Sequence, residues 1–169
     1  MKKSETKKRI LYGVLLVFLI VLFLRAVLPR QIDDVHPLMG CEKEELERAD
    51  VFYVVPMFDD FAINESREWC DYILSMNRTV HMHGIRHTYK EFSRDIDKED
   101  FEYAIAVFED CFGFKPRNFK APQLSISSEN KRLLRKFDLR LDSYFNQIFH
   151  KVYHCNDTGF FPNSFHDFL

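Results

Sequence analysis

Two groups of side chains in this sequence carry the residue types of a hydrolytic metal site. His81-Met82-His83-Gly84-Ile85-Arg86-His87 sets His83 and His87 four apart around a glycine, and Asp33-Asp34 sets two carboxylates side by side. A helical turn or tight loop after Gly84 would bring both imidazoles to one face. Two imidazoles and one carboxylate leave a fourth position of a zinc-like cation open for water, the arrangement of catalytic rather than structural sites. Asp34 is the candidate carboxylate, so Asp34, His83 and His87 are the expected metal ligands, and Asp33 stays free to take a proton from water. Zinc suits this donor set, as do iron, cobalt and nickel. Each pair alone has a plainer explanation: a surface helix for the histidines, a turn or cap for the aspartates. Their joint position is what points to a site.

That position depends on the elements that carry them. Gln31-Ile32-Asp33-Asp34-Val35-His36-Pro37 reads as a strand closed by a proline, and Val51–Val55 reads as a buried strand stopped by Pro56. Glu65–Met76 has Trp69, Ile73 and Met76 at helical spacing, and Thr79–His83 reads as a strand ended by Gly84. The clearest helix runs over Lys98–Phe112, with Phe101, Ile105, Phe108 and Phe112 on one face and Gly113 and Pro116 as the stop. Phe119–Ala121 is a short strand, and Ser127 or Ser128 caps a helix with Glu129 early and Arg135 and Lys136 late. Leu139–Tyr144 is a further strand candidate. Strands alternating with helices predict an α/β architecture with a largely parallel sheet, whose chemistry gathers at the carboxyl ends of the strands. Asp33, Asp34 and His83 fall there.

Composition bounds the rest. The chain has 169 residues, 46% hydrophobic, with 24 basic and 26 acidic side chains. One globular unit is expected, and a formal net charge of -2 gives no general pull toward nucleic acid. The start is different: Lys2, Lys3, Lys7, Lys8 and Arg9 precede an apolar run from Ile10 to Leu28 that only Arg25 interrupts. This predicts a basic cytoplasmic tail over residues 1–9, an uncleaved transmembrane anchor over residues 10–28 with Arg25 snorkelling to the headgroups, and a domain over residues 31–169 outside the cytoplasm or in a lumen. Cys41, Cys70, Cys111 and Cys155 could pair as disulfides there, in any of three ways, and Asn64, Asn77 and Asn156 each open an acceptor sequon.

Beside this reading, residues 31–169 resemble the polysaccharide deacetylase family, the NodB-homology domain, in its divergent branch. Ile32-Asp33-Asp34-Val35-His36-Pro37 is similar to the family's first motif, whose first aspartate is catalytic base and whose second binds metal. His83-Gly84-Ile85-Arg86-His87, trailed by Glu91-Phe92, is similar to its second motif, the two metal histidines. Phe119-Lys120-Ala121-Pro122 resembles the third, with Lys120 where the family has an arginine that pairs with the catalytic aspartate; lysine keeps the charge but loses the planar fork. Ser164-Phe165-His166-Asp167 resembles the last motif, whose histidine is general acid. The resemblance implies a distorted, incomplete (β/α) barrel and a hydrolase that removes acetyl groups from a glycan. Asp33 would be the base, Lys120 its partner, His166 the general acid, and Asp34, His83 and His87 would hold a divalent metal, zinc by preference. Lys120 and the short stretch after His166 also motivate an alternative, a glycan-binding pseudoenzyme tethered to the membrane. A third reading makes the domain a structural element of a membrane complex, joined by cysteines between chains.

Other groups are expected to do less. His81 is read as packing or outer hydrogen bonding, His36 as surface, the spacing of His150 and His154 as incidental, Asp59-Asp60 as a solvated loop and Trp69 as core. Phe160, Phe161 and Phe165 near the tail offer stacking surface for a sugar.

Overall fold

The computed structural model describes residues 2–168, with side chains from Glu5 onward. In chain order the elements are α1 (Lys2–Val27), β1 (Gln31–Val35), α2 (Lys43–Arg48), β2 (Val51–Val54), β3 (Met57–Phe58), β4 (Phe61–Ala62), α3 (Arg67–Ser75), β5 (Thr79–His83), α4 (Lys98–Phe112), β6 (Asn118–Lys120), α5 (Ser128–Lys136), β7 (Arg140–Asp142), α6 (Tyr144–Phe149), β8 (Val152–His154) and α7 (Asn163–Phe168). Six of the strands form one sheet in the order β7-β6-β5-β2-β1-β8, every neighbouring pair parallel. This is an incomplete barrel with helices packed on it, as the resemblance implies.

Alternation along the strands sorts the side chains. Ile32, Phe52, Val54, Val80, Met82, Phe119 and Tyr153 join the hydrophobic core with Phe101, Phe108 and Phe112 of α4. Their neighbours in the chain, Gln31, Asp33, Tyr53, His81, His83 and Lys120, face the other way and meet across the sheet. The core face is therefore apolar and the concave face polar.

The helix signals hold where they are local. Asp97 caps α4 by accepting from the Glu99 N–H at 2.7 Å, Gly113 ends it, and Ser127 caps α5 by accepting from the Asn130 N–H at 3.1 Å. Asp59 and Asp60 both take positive φ in the two-residue turn of the β3–β4 hairpin, which suits their exposed, short polar side chains. The cysteines pair within the chain, Cys41 with Cys155 and Cys70 with Cys111, which removes the ground for linkage between chains. Trp69 is only half-buried, packing against the core's edge.

Three expectations need correction. The strand expected over Leu139–Tyr144 stops at Asp142, and Tyr144 opens α6. Arg25 does not project freely toward headgroups: its guanidinium donates to the carbonyls of Gln147, Ile148 and His150, capping the end of α6. His36 is 1% exposed rather than a surface residue. Its Nδ1 accepts from the Leu38 N–H at 3.1 Å and its Nε2 donates to the Phe61 carbonyl at 3.3 Å, with Phe58 and Phe61 edge-on to the ring.

Burial pushes the His36 imidazole down to about 4, with the Phe61 carbonyl opposing. A histidine so depressed is neutral when folded and protonates first when unfolded, so its contribution is intact above its ordinary value and is lost as pH falls toward 4. Stability should drop between about pH 6.5 and pH 4, with roughly 3 kcal/mol assignable to this ring. Urea midpoints across that range should fall for the native chain and fall visibly less for His36→Gln; parallel curves would contradict the assignment.

Candidate metal centre

Asp33 and Asp34 sit where β1 leaves its regular register. The pairing with β2 shifts between Ile32 and Val35, and Asp34 takes φ 64°. Aspartate tolerates this left-handed conformation better than most residues, at a cost that a packed surrounding must offset. The irregularity turns two consecutive carboxylates toward the same concave face, which a regular strand could not do.

His83 ends β5, and His87 follows a tight loop rather than a helical turn. Gly84 takes φ 63°, and a Cβ there would lie 2.6 Å from both the Glu91 carboxylate and the Pro122 ring, so the bend accepts only glycine. The loop is held from behind. Glu91 accepts from the Ile85 N–H at 2.9 Å and the Arg86 N–H at 2.8 Å, and Arg86 pairs with Asp100 of α4 through both guanidinium nitrogens.

The three expected ligands come together. Asp34 Oδ1 lies 3.2 Å from His83 Nε2 and 2.8 Å from His87 Nε2, and the three donor atoms all fall within 4.8 Å of one another. Among the described residues Oδ1 is buried without a well-angled hydrogen bond, while Oδ2 accepts from the Thr158 hydroxyl at 2.8 Å. His83 Nδ1 donates to the Lys120 carbonyl at 3.0 Å, which leaves the Nε2 lone pair facing the cluster. Three donor atoms this close together, with Asp34 Oδ2 and His83 Nδ1 tied by hydrogen bonds, fit a divalent cation. Burial alone would raise the Asp34 carboxyl, but the two imidazoles outweigh it and hold it well below the usual carboxylate range. His87 moves the opposite way, its burial outweighed by Asp34, so a cation would compete with a proton for it.

Asp33 is placed beside this cluster and differently partnered. Its Oδ1 accepts from Lys120 Nζ at 2.7 Å, both side chains being almost wholly buried. The same ammonium donates to Gln31 Oε1 at 2.9 Å and stands 3.8 Å from the centre of the Tyr53 ring. Tyr53 in turn donates to Asp142 at 2.5 Å, and Asn118 donates to the same oxygen at 3.0 Å. Two contacts besides Asp33 thus position Lys120 although it lacks a guanidinium fork. Asp33 Oδ2 faces His154 Nε2 at 3.9 Å.

His154 is the residue that sequence reasoning passed over. It ends β8, opposite Asp33 in the parallel register, and the close approach of Gly159 packs the following loop on its ring. The signal was a two-residue apolar strand, Val152-Tyr153, ending in a histidine as β5 does. His166 also borders the cleft, from α7, but its Nδ1 lies 3.0 Å from an Arg25 guanidinium nitrogen. Burial, and then Arg25, push this imidazole down to about 4, so it is neutral at neutral pH. His81 packs on Tyr53 with its centroid 5.5 Å away and stands outside the ligand cluster.

No protein-family model and no curated protein sequence matches the chain. Solved structures do. A CE4 family pseudoenzyme from Bacillus anthracis superposes with a TM-score of 0.51 at 16% identity, over 68% of this chain and 42% of that one. A mutant of that pseudoenzyme gives 0.50 at 16% identity, over 67% and 42% of the two chains. The fold is that of the CE4 polysaccharide deacetylases. A chitin deacetylase from the fungal pathogen Colletotrichum lindemuthianum is also similar, with a TM-score of 0.48 at 16% identity over 68% of this chain and 55% of its own. This chain thus spans less than half the length of the first of these CE4 proteins. Within the CE4 fold, the cluster of Asp34, His83 and His87 lies at the carboxyl ends of β1 and β5, where parallel sheets carry their chemistry.

Proposed function

We propose that this chain is a membrane-anchored, metal-dependent hydrolase that removes acetyl groups from a glycan. One observation carries the reading: Asp34, His83 and His87 converge on one point, and the uncommitted oxygen of Asp33 lies beside them. Hydrolysis adds water across the acetyl C–N or C–O bond and yields acetate and a free amine or alcohol. A divalent cation held by Asp34, His83 and His87, zinc by preference, would supply Lewis acidity toward the acetyl carbonyl and toward water. Asp33 takes the proton through Oδ2, while Lys120 holds Oδ1 and keeps the carboxylate turned inward. His154 faces that same oxygen and would pass the proton on to the departing nitrogen or oxygen, the part that the family resemblance gives to His166, whose Nδ1 here meets Arg25. The sugar would lie in the cleft of about 650 Å³ over these groups.

The anchor reading rests on α1, which is long and apolar enough over Glu5–Val27 to cross a membrane and is almost wholly exposed, unlike a core helix. The basic tail over residues 1–9 then stays in the cytoplasm, residues 10–28 span, and the domain over residues 31–169 works on the far side. Two disulfides within the chain suit that compartment.

A second reading, a membrane-tethered glycan-binding pseudoenzyme, is favoured by Lys120, which gives Asp33 a single contact, and by the pseudoenzyme among the structural neighbours. The test is acetate release from acetylated oligosaccharides by the full-length chain, with zinc and with a chelator. Release that the chelator stops supports the hydrolase. Metal and oligosaccharide binding without any release supports the pseudoenzyme, and neither binding nor release removes both.

A further inference from the structure

The wall of the cleft is built partly from the anchor itself. Phe18, Val21, Leu22 and Arg25 of α1 line it, at the i, i+3, i+4, i+7 spacing of one helix face. Opposite them the floor carries Asp33, Asp34, His83, His87 and Lys120. The cleft is therefore amphipathic, with ionisable groups at one end and hydrocarbon at the other. From Arg25 to Phe18 the helix rises about 10 Å, so the apolar wall extends that far along α1.

The rim continues the same surface. Ile148 of α6, Phe160 and Phe161 of the loop between β8 and α7, and Phe165 of α7 all line the cleft, yet they are 46%, 93%, 48% and 40% exposed. In water, such a patch around a polar active site would be a liability. Set in the interface of the bilayer that holds α1, it lies at an ordinary depth for aromatic side chains, some 5–10 Å below the headgroup boundary. A plain oligosaccharide would leave the apolar wall uncovered, whereas a sugar bearing a long hydrocarbon tail covers both ends of the cleft.

We infer that the substrate is an acetylated sugar carried on a hydrophobic tail, which enters the cleft from the bilayer with its tail between Phe18, Val21 and Leu22 of α1 and the rim residues Ile148 and Phe161, and its acetyl group at the floor. The inference rests on the hydrolase and anchor readings above and names the substrate class of that site.

The test uses the full-length chain in phosphatidylcholine vesicles and two probes of one sugar, the methyl and the dodecyl glycosides of N-acetylglucosamine, with binding and acetate release measured separately. By total concentration the dodecyl glycoside should bind at least about tenfold tighter, since its tail holds it in the bilayer beside the cleft and alone can cover the apolar wall. In Ile148→Ser/Phe161→Ser that ratio should shrink to within about threefold, and because native and variant are compared in the same vesicles, partition of the probe into lipid cancels. Both positions are substantially exposed, so polar replacements there are compatible with folding. Equal binding of the two glycosides, a ratio that survives the double substitution, or no binding of either would overturn the inference. Preferential binding of the dodecyl glycoside without acetate release would leave it standing and remove the hydrolase reading instead.

Discussion

Replacing Asp33 with asparagine should cut acetate release by roughly a hundred- to ten-thousandfold, the usual loss when a general base is removed. The amide keeps the size of the side chain, and its oxygen can still accept from Lys120 Nζ, which the carboxylate meets at 2.7 Å. The ligand cluster is left whole, because its carboxylate belongs to Asp34. The variant should therefore keep the ligand cluster and bind metal while losing turnover, and the Lys120 charge that it leaves unpaired should lower its melting temperature. Turnover of an acetylated oligosaccharide, set beside metal content and a melting curve, checks all three. An unchanged rate would mean that Asp33 is not the proton acceptor.

Lys120→Met should destabilise the domain by about 3–5 kcal/mol, because it strands the buried Asp33 carboxylate without a counter-charge. Lys120 is 0% exposed, and its ammonium serves Asp33, Gln31 and the Tyr53 ring together. Most of the loss should return in Lys120→Met/Asp33→Asn, which removes both charges. Urea unfolding of the two single variants and the double variant gives the coupling directly. A loss below about 1 kcal/mol for Lys120→Met, or no recovery in the double variant, would show that the pair is not a linked unit.

Local chemistry was the legible part of this chain. The caps of α4 and α5, the strands at Gln31, Val51 and Thr79, and the pairing of His83 with His87 around Gly84 are written in residues close together in sequence. What could not be read depends on contacts between distant segments. His36 looked like a loop residue because its partner, the Phe61 carbonyl, lies 25 positions away. His154 ends a three-residue strand whose meaning comes from lying next to Asp33 in the sheet. Arg25 looked like an interfacial side chain because the carbonyls it caps belong to α6, more than a hundred residues on. Tyr144 closed the alternating stretch Leu139-Arg140-Leu141-Asp142 and was read as strand, although it opens α6, which packs against α1. The barrel's polar lining was half visible: alternation fixes which residues share a face, but not which face closes on itself.

The proposed hydrolase requires one cation held by Asp34, His83 and His87. Elemental analysis of the full-length chain, loaded with zinc and dialysed, tests this most directly when native protein is set beside His83→Ala. About one ion per native chain and almost none in the variant is the predicted result. A native chain that retains no metal, or a variant that retains as much as the native, would contradict it.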